Sequence, residues 1–376
     1  QYDLKSLALT DINTITGIYY FYKLCKENEI KPIVGVEIRV ENELYYICLA
    51  RNQHSIGEIN RVLTSYNCEG IEIPKSNPVF QSTIVIYPLH NIPEQLSVNE
   101  YIGIRPEELN LLYQPELKAL IYKMVILQPV TFKTKTEYNL HRILRAIDHN
   151  TLVTLLPENE VCKSSEKFCK KKDLLALYGN YPEIIANTKL VVNQCSFEFD
   201  FSTPKNKKHF TESRESDYEL LKRLAYEGLE WRYADSPARA RVEKELGVID
   251  QLNFSGYFLI TWDIIQYSNK MGFMHVGRGS GANSIVSYCL GITDICPLEL
   301  DLYFERFLNL NRKSPPDFDI DWSWQNRDTI LQYIFDRHGK DHVAFCGTNV
   351  EFKYRSIFRE VGKAFGLPKE ELDALA

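Results

Sequence analysis

What this sequence lacks narrows its class before any motif is read. It has no run of about eighteen apolar residues, so no membrane-spanning helix is expected. No signal-peptide pattern stands at its start. Its nine cysteines are an odd number and none forms a C-x-x-C pair. That argues against a disulfide frame or a zinc site, and for reduced thiols in a cytoplasmic setting. There is no positive excess either: 44 Lys and Arg face 50 Asp and Glu, a net charge of −6. A globally basic nucleic-acid binder is therefore excluded, whereas a basic channel beside an acidic centre is not. The remainder is ordinary for a globular protein, 44% hydrophobic and 25% charged over 376 residues, enough for two or three domains.

Three aspartates then stand out, at every second position in Pro315-Pro316-Asp317-Phe318-Asp319-Ile320-Asp321-Trp322. On an extended strand this alternation puts the carboxylates on one face and Phe318, Ile320 and Trp322 on the other. Crowded carboxylates repel one another unless cations sit between them. Two divalent metals bridged by Asp side chains are the usual answer where phosphoryl groups move. A solvated acidic edge strand is the plainer reading. An EF-hand loop is rejected, because position six holds Trp322 rather than glycine and the intervening residues are bulky and apolar.

Upstream lies a glycine-rich turn, Gly277-Arg278-Gly279-Ser280-Gly281-Ala282-Asn283-Ser284, running into an apolar helical stretch, Ile285 to Leu290. Glycines let a backbone approach phosphate closely, and a helix N-terminus offers free N–H groups. No Lys-Ser/Thr follows the last glycine, so this is not a Walker A loop. The third glycine is misplaced for a dinucleotide fingerprint and no clear strand feeds the turn. Together with the downstream aspartates it forms a candidate triphosphate grip beside a metal platform.

The series Gly277-Arg278-Gly279-Ser280-Gly281-Ala282, Ile292-Thr293-Asp294, Pro297-Leu298-Glu299, Phe304-Glu305-Arg306-Phe307-Leu308-Asn309 and Pro316-Asp317-Phe318-Asp319-Ile320-Asp321 resembles the palm of bacterial DNA polymerase III alpha subunits, the C-family replicative polymerases. The resemblance is strong from about residue 245 on. It extends weakly to the N-terminus, where Leu7-Ala8-Leu9-Thr10-Asp11 and Lys31-Pro32-Ile33-Val34-Gly35-Val36-Glu37 resemble the family's PHP domain. It implies a multidomain α/β and α+β protein: a PHP-like distorted β/α barrel over 1–200, part of a polymerase-beta-like nucleotidyltransferase palm over 201–348, and the start of a thumb over 349–376. The first boundary is set at a proline-containing link, Phe201 to Pro204.

The implied activity is template-directed DNA synthesis in DNA replication, with two Mg2+ ions at the complete active site. Asp317 and Asp319 correspond to two of the family's three catalytic carboxylates, and Asp321 is a weaker metal candidate. Gly279 and Ser280 match the pair that holds the incoming triphosphate. Arg278 and Arg306 are candidate triphosphate contacts, Arg306 alternatively being a structural ion pair with Glu305 or Asp301. Arg355, Arg359 and Lys363, on the polar face of an amphipathic stretch from Tyr354 to Leu367, are candidate DNA contacts. The implied partners are primed DNA, deoxynucleoside triphosphates, a sliding clamp, a clamp loader and a proofreading exonuclease, with no membrane.

The pattern also departs from the family. Ile12, Thr131 and Lys133 stand where PHP metal ligands are expected, leaving Asp11 and Glu37, so no metal cluster is expected in the first domain. His141, in a helical register, reads as a satisfied surface histidine. No third catalytic aspartate is found after Gly347. The chain opens on Gln1 and ends in helical pattern, which reads as a piece of a longer protein. Alone it is expected to fold but not to polymerise. Three alternatives stand: a nucleotidyltransferase acting on RNA or a small molecule, a catalytically silent module that docks DNA or partners, and an error-prone relative. Local signals predict strands at Lys5–Thr10, Ile33–Val40, Leu44–Ala50 and Thr83–Tyr87, a capping box at Ser216-Asp217-Tyr218-Glu219, and a further strand at Val343–Cys346.

Overall fold

Strand periodicity in the first third builds one sheet. A computed structural model describes residues 4–77, 80–203, 205–233, 237–312, 315–348 and 351–375. Six strands follow in sequence order: β1 (Ser6–Ile12), β2 (Lys31–Val40), β3 (Glu43–Leu49), β4 (Ile84–Pro88), β5 (Glu100–Ile104) and β6 (Met124–Ile126). The pairs β1–β2, β4–β5 and β5–β6 are parallel, and β2–β3 and β3–β4 antiparallel. The sheet curls into a half-barrel. Near-continuous apolar runs such as Ile84-Val85-Ile86-Tyr87 are buried on both faces, as expected where helices cover a largely parallel sheet. The helices are α1 (Ile18–Glu27), α2 (Gln53–Cys68), the short α3 (Pro115–Lys118), α4 (Lys135–Asp148), α5 (Lys171–Leu177) and α6 (Pro182–Gln194).

The second set is mainly helical: α7 (Arg214–Arg232), α8 (Pro237–Gln251), α9 (Ser255–Lys270), the short α10 (Ile285–Cys289) and α11 (Trp324–His338). A two-stranded antiparallel ribbon joins β7 (His275–Arg278) to β8 (Asp319–Trp322). Gly339, at φ +81°, ends α11 in a conformation that suits glycine. The chain closes with α12 (Tyr354–Ala364) and α13 (Lys369–Leu375).

Two compact units result. One holds Phe201–Cys346; the other holds Gln1–Asp200 together with Gly347–Ala376. The amphipathic stretch expected to open a thumb thus groups with the N-terminal unit, where Val153 N–H donates to Ala364 O of α12 at 2.9 Å. Of the anticipated link, Pro204 lies outside the described residues, as does residue 349 of the expected third segment.

Two local expectations change. The cap of α7 is Ser213, whose Oγ accepts the Ser216 N–H at 3.1 Å, three residues before the anticipated capping box. Buried Asp217 is instead taken by Phe210 N–H, Thr211 N–H and the Thr211 hydroxyl, which draws the incoming chain onto the first turn. Residues 343–346 form no strand.

Candidate nucleotide and metal site

The aspartate alternation survives into three dimensions. Phe318, Ile320 and Trp322 pack on the core of their unit. The Phe318 ring lies edge-on to Phe258 at 5.1 Å and to Phe307 at 5.3 Å. Trp322 Nε1 donates to Ser268 Oγ at 2.8 Å. Full burial of such a side chain contributes about 1.5–3 kcal/mol, and these half-buried ones contribute a part of it. This anchors the strand and leaves Asp317, Asp319 and Asp321 outside, with side chains 79%, 49% and 56% exposed. A one-residue slip would bury the carboxylates, so the apolar face fixes the register.

Asp317 precedes β8 rather than lying in it. It pairs with Arg312, Nη2 to Oδ1 3.1 Å. Asp319 and Asp321 face Arg278, opposite Asp319 in the ribbon: Arg278 Nε donates to Asp321 Oδ2 at 2.6 Å, and its Nη1 lies 3.7 Å from Asp319 Oδ2. Asp319 and Asp321 therefore share one guanidinium and Asp317 holds another. Among the described residues no group of three or more His, Cys, Asp or Glu is gathered as a metal cage.

The glycine-rich turn meets this face directly. Gly279 has φ +71°, and a Cβ placed there would sit 2.5 Å from Asp319 Oδ2. Glycine is thus required twice, for backbone conformation and for space. A strand does feed the turn, contrary to expectation: β7 ends at Arg278, and the turn itself is a 3₁₀ segment, Gly279–Asn283. Gly277 in β7 lies so close to Ile292 O that a side chain would collide with it. Thr293 Oγ1 donates to Gly277 O at 2.8 Å, so the Ile292-Thr293-Asp294 segment braces the strand.

The helix N-terminus after the turn does not keep the free N–H groups that its pattern promised. Ser284 Oγ accepts Ser287 N–H, and the buried Glu245 carboxylate accepts Val286 N–H at 3.3 Å. Burial pushes the Glu245 carboxyl above its ordinary value, while hydrogen bonds from Arg241 and Ser284 pull the other way. Any anion grip must therefore come from the turn and its arginines rather than from α10.

The other candidates are dispersed. Arg306 ends a 3₁₀ turn, Phe304–Arg306, and is exposed. Its side chain makes no hydrogen bond or ion pair among the described residues. Glu305, its expected partner, is held by Lys244 at 2.6 Å. Arg355, Arg359 and Lys363 lie on α12 in the other unit, exposed; Arg359 Nη2 is 3.7 Å from Asp373 and Lys363 Nζ 2.8 Å from Glu360. Sequence reading missed Arg312 and the Arg241–Glu245 pair. A signal for the latter existed: Glu245 adjoins Leu246 on the apolar stripe of a helix.

In the N-terminal unit Asp11 Oδ2 accepts Gly17 N–H at 3.1 Å, and Glu37 is held by Arg39 at 2.8 Å. Thr131 Oγ1 donates to Glu166 at 2.7 Å. His141 Nε2 accepts Cys162 N–H at 3.1 Å, and burial lowers its basicity.

Comparison with known proteins matches two stretches of the chain to known domains. Residues 1–87 match the PHP domain, and residues 219–376 match the bacterial DNA polymerase III alpha NTPase domain. One stretch of the chain is thus similar to a PHP domain and a later one to a polymerase NTPase domain. An error-prone DNA polymerase of Symbiobacterium thermophilum is 27% identical over 429 residues, covering 99% of this chain and 39% of that protein. DNA polymerase III subunit alpha of Streptococcus pyogenes is 30% identical over 386 residues, covering 100% and 36%. That of Halalkalibacterium halodurans is 28% identical over 415 residues, covering 99% and 36%. The chain is similar to bacterial DNA polymerase III alpha subunits and to error-prone DNA polymerases, and spans little more than a third of the length of the relatives it matches. Among the described residues no helix is long and apolar enough to cross a membrane.

Proposed function

We propose that this chain supplies the metal and nucleotide platform of a DNA-directed DNA polymerase that acts in replication. The observation that carries the reading is the exposed carboxylate face of β8, set against a positive-φ glycine that leaves room beside Asp319. The donor set fits magnesium: carboxylate oxygens, open to solvent, while the ribbon's histidine, His275, sits beside Trp322 on the opposite face and hydrogen-bonds with Gly291 O at 3.0 Å. Asp317 and Asp319 would hold the metals, with Asp321 farther along the same face. Two such ions would supply activation of the primer hydroxyl and neutralisation of the leaving group. Arg278 and Arg312, now counterions to the aspartates, would give up those pairs to a bound metal. Gly279 and Ser280 bind the triphosphate, and Arg278 and Arg306 neutralise it. This ribbon and turn form the core of a polymerase-beta-like palm.

Arg355, Arg359 and Lys363 on the exposed α12 contact the DNA backbone, so that binding weakens with salt. The clamp, clamp loader and exonuclease are partners of the whole polymerase. A second reading is favoured by the ion pairs themselves: arginines already satisfy all three aspartates, as a silent docking module would require.

Titration of the chain with Mg2+ and dATP separates the two. The polymerase reading expects dATP binding that needs Mg2+ and is lost in Asp319→Asn; equal binding with and without Mg2+, or none, favours the silent module. The resemblance puts a third carboxylate in a later segment, so primer extension by this chain alone is expected to fail. Template-directed extension abolished by Asp319→Ala would show a complete active site here and overturn that part of the account.

A further inference from the structure

Helix α8 reaches both turns that carry the candidate triphosphate arginines. Arg241, Lys244 and Glu245 stand at i, i+3 and i+4, one side of the helix. Glu245 is fully buried. Its Oε2 accepts Ser284 Oγ at 2.8 Å and Val286 N–H at 3.3 Å; its Oε1 accepts Arg241 Nε at 2.7 Å. Arg241 Nη2 donates to Asn283 O at 3.3 Å and to Leu302 O at 2.9 Å. Lys244 Nζ donates to Glu305 Oε1 at 2.6 Å. One helix therefore grips the C-terminal end of the Gly279–Asn283 turn and the start and middle of the segment leading through Phe304–Arg306.

A buried ion pair is a poor source of stability, because desolvating both charges offsets their attraction. A pair of apolar side chains of similar volume would stabilise the unit at least as well. It could not hydrogen-bond to Asn283, Ser284, Val286 and Leu302, and so could not fix the spacing of two loops. The loops are also in contact elsewhere: a Cβ on Gly281 would lie 3.9 Å from the Phe307 ring. Lys244 adds a further element, since it holds the acid next to Arg306 in sequence and leaves that guanidinium without an acidic partner among the described residues.

We infer that Arg241 and Glu245 are positioning residues that set the separation of the Arg278-bearing and Arg306-bearing turns, so that a nucleoside triphosphate is held from both. The inference rests on the triphosphate reading of those turns. Arg241 and Glu245 touch no substrate; they act through the turns. Lys244 acts with them by occupying Glu305.

The test uses the chain itself, titrated with Mg–dATP and, separately, with inorganic tripolyphosphate, in wild type, Arg241→Lys, Glu245→Gln, Lys244→Met and Lys244→Met/Glu305→Gln. Arg241→Lys keeps a cation beside Glu245 but cannot span both carbonyls. It is expected to weaken both ligands on the order of tenfold, to speed amide exchange at Ser284, Val286 and Ser287, and to leave the melting temperature little changed. Lys244→Met is expected to weaken binding several-fold, and Glu305→Gln in that background to restore it, a rescue that a merely structural role would not give. Should Arg241→Lys misfold, the near-isosteric Glu245→Gln and the Lys244–Glu305 rescue carry the test. Unchanged affinity in Arg241→Lys and Glu245→Gln, or no rescue, overturns this inference alone. A wild-type chain that binds neither ligand overturns the triphosphate reading and this inference with it.

Discussion

The two acidic clusters of this chain solve the same electrostatic problem in opposite ways. In the N-terminal unit Asp11 spends its carboxylate on the Gly17 N–H, fixing the start of α1, and Glu37, 13% exposed, is clasped by Arg39 two residues along β2. A bulge between Ile38 and Arg39, pinned by Asn13 bonding Arg39 through both its carbonyl and its N–H, aims that arginine at Glu37. In the other unit Asp317, Asp319 and Asp321 accept no backbone N–H among the described residues; Arg312, the partner of Asp317, is also anchored on Phe307 O at 2.7 Å and Pro315 O at 3.2 Å, whereas the Arg278 guanidinium is held by exposed ion pairs to Asp319 and Asp321. Exposed pairs of this kind are worth about 0–1 kcal/mol, so a divalent cation can displace them at little cost. Carboxylates held by the backbone, as Asp11 is, or largely buried against an arginine, as Glu37 is, serve the fold, whereas exposed carboxylates paired only with side chains are free for chemistry.

The sharpest break of this contrast is Asp319→Asn. Mg–dATP affinity is expected to fall roughly a hundredfold, about 2.7 kcal/mol, while thermal stability stays within about 0.5 kcal/mol. A matching loss of stability would place Asp319 with the structural carboxylates instead. Gly279→Ala comes next. A left-handed backbone and a Cβ against Asp319 Oδ2 are expected to cost about 1–2 kcal/mol of stability and to abolish most triphosphate binding; isothermal titration beside a urea melt reads both.

A third outcome concerns Glu58, a fold-serving carboxylate of the N-terminal unit. Burial pushes its carboxyl up, but hydrogen bonds from the Thr83 hydroxyl and from the N–H groups of Gln81, Ser82 and Thr83 outweigh this and hold it below its ordinary value. Its folded pKa is depressed, so the stability it contributes is present above the ordinary carboxylate pKa and is lost as pH falls through the folded value. Glu58→Gln is expected to cost about 1–2 kcal/mol at neutral pH and to flatten the acid limb of the stability curve; an unchanged acid limb would contradict the assignment. The smallest effect belongs to Asp11→Asn and Glu37→Gln. Each is expected to cost about 1 kcal/mol or less and to leave the zinc and manganese content of the purified chain where it was, near none. Stoichiometric metal that disappears in either variant would return the N-terminal cluster to the class of metal sites.

Much of this was legible in the sequence because it rests on period and on glycine. The two-residue alternation of Asp317 to Trp322 fixed which side chains face out, and Phe318, Ile320 and Trp322 anchor that choice in the core. Strands β1 to β4 of the first unit followed from β-branched runs, to within a few residues, whereas the short β5 and β6 were not anticipated. The start of α7 was misplaced because the cap depends on where Asp217 finds donors, and these lie upstream at Phe210 and Thr211. The absence of a strand at 343–346 reflects a short apolar run with no partner strand among the described residues. The burial of Glu245 had a signal beside the apolar stripe of its helix, but what the Arg241–Glu245 pair brackets was not legible, since its bonds reach residues up to 61 positions away, at Leu302. The filling of the helix N-terminus after the glycine-rich turn was hidden for the same reason, being done by Glu245 from another helix.

The central claim is that the β8 carboxylates hold divalent cations beside a triphosphate turn. Manganese anomalous scattering from crystals of this chain grown with Mn2+ and dATP tests it most directly. The account predicts peaks against Asp317 and Asp319, with Arg278 and Arg312 swung away from them and phosphate density on the Gly279–Ser280 turn. Intact Arg278–Asp321 and Arg312–Asp317 pairs with no manganese between them, or manganese bound instead at Asp11 and Glu37, would contradict it.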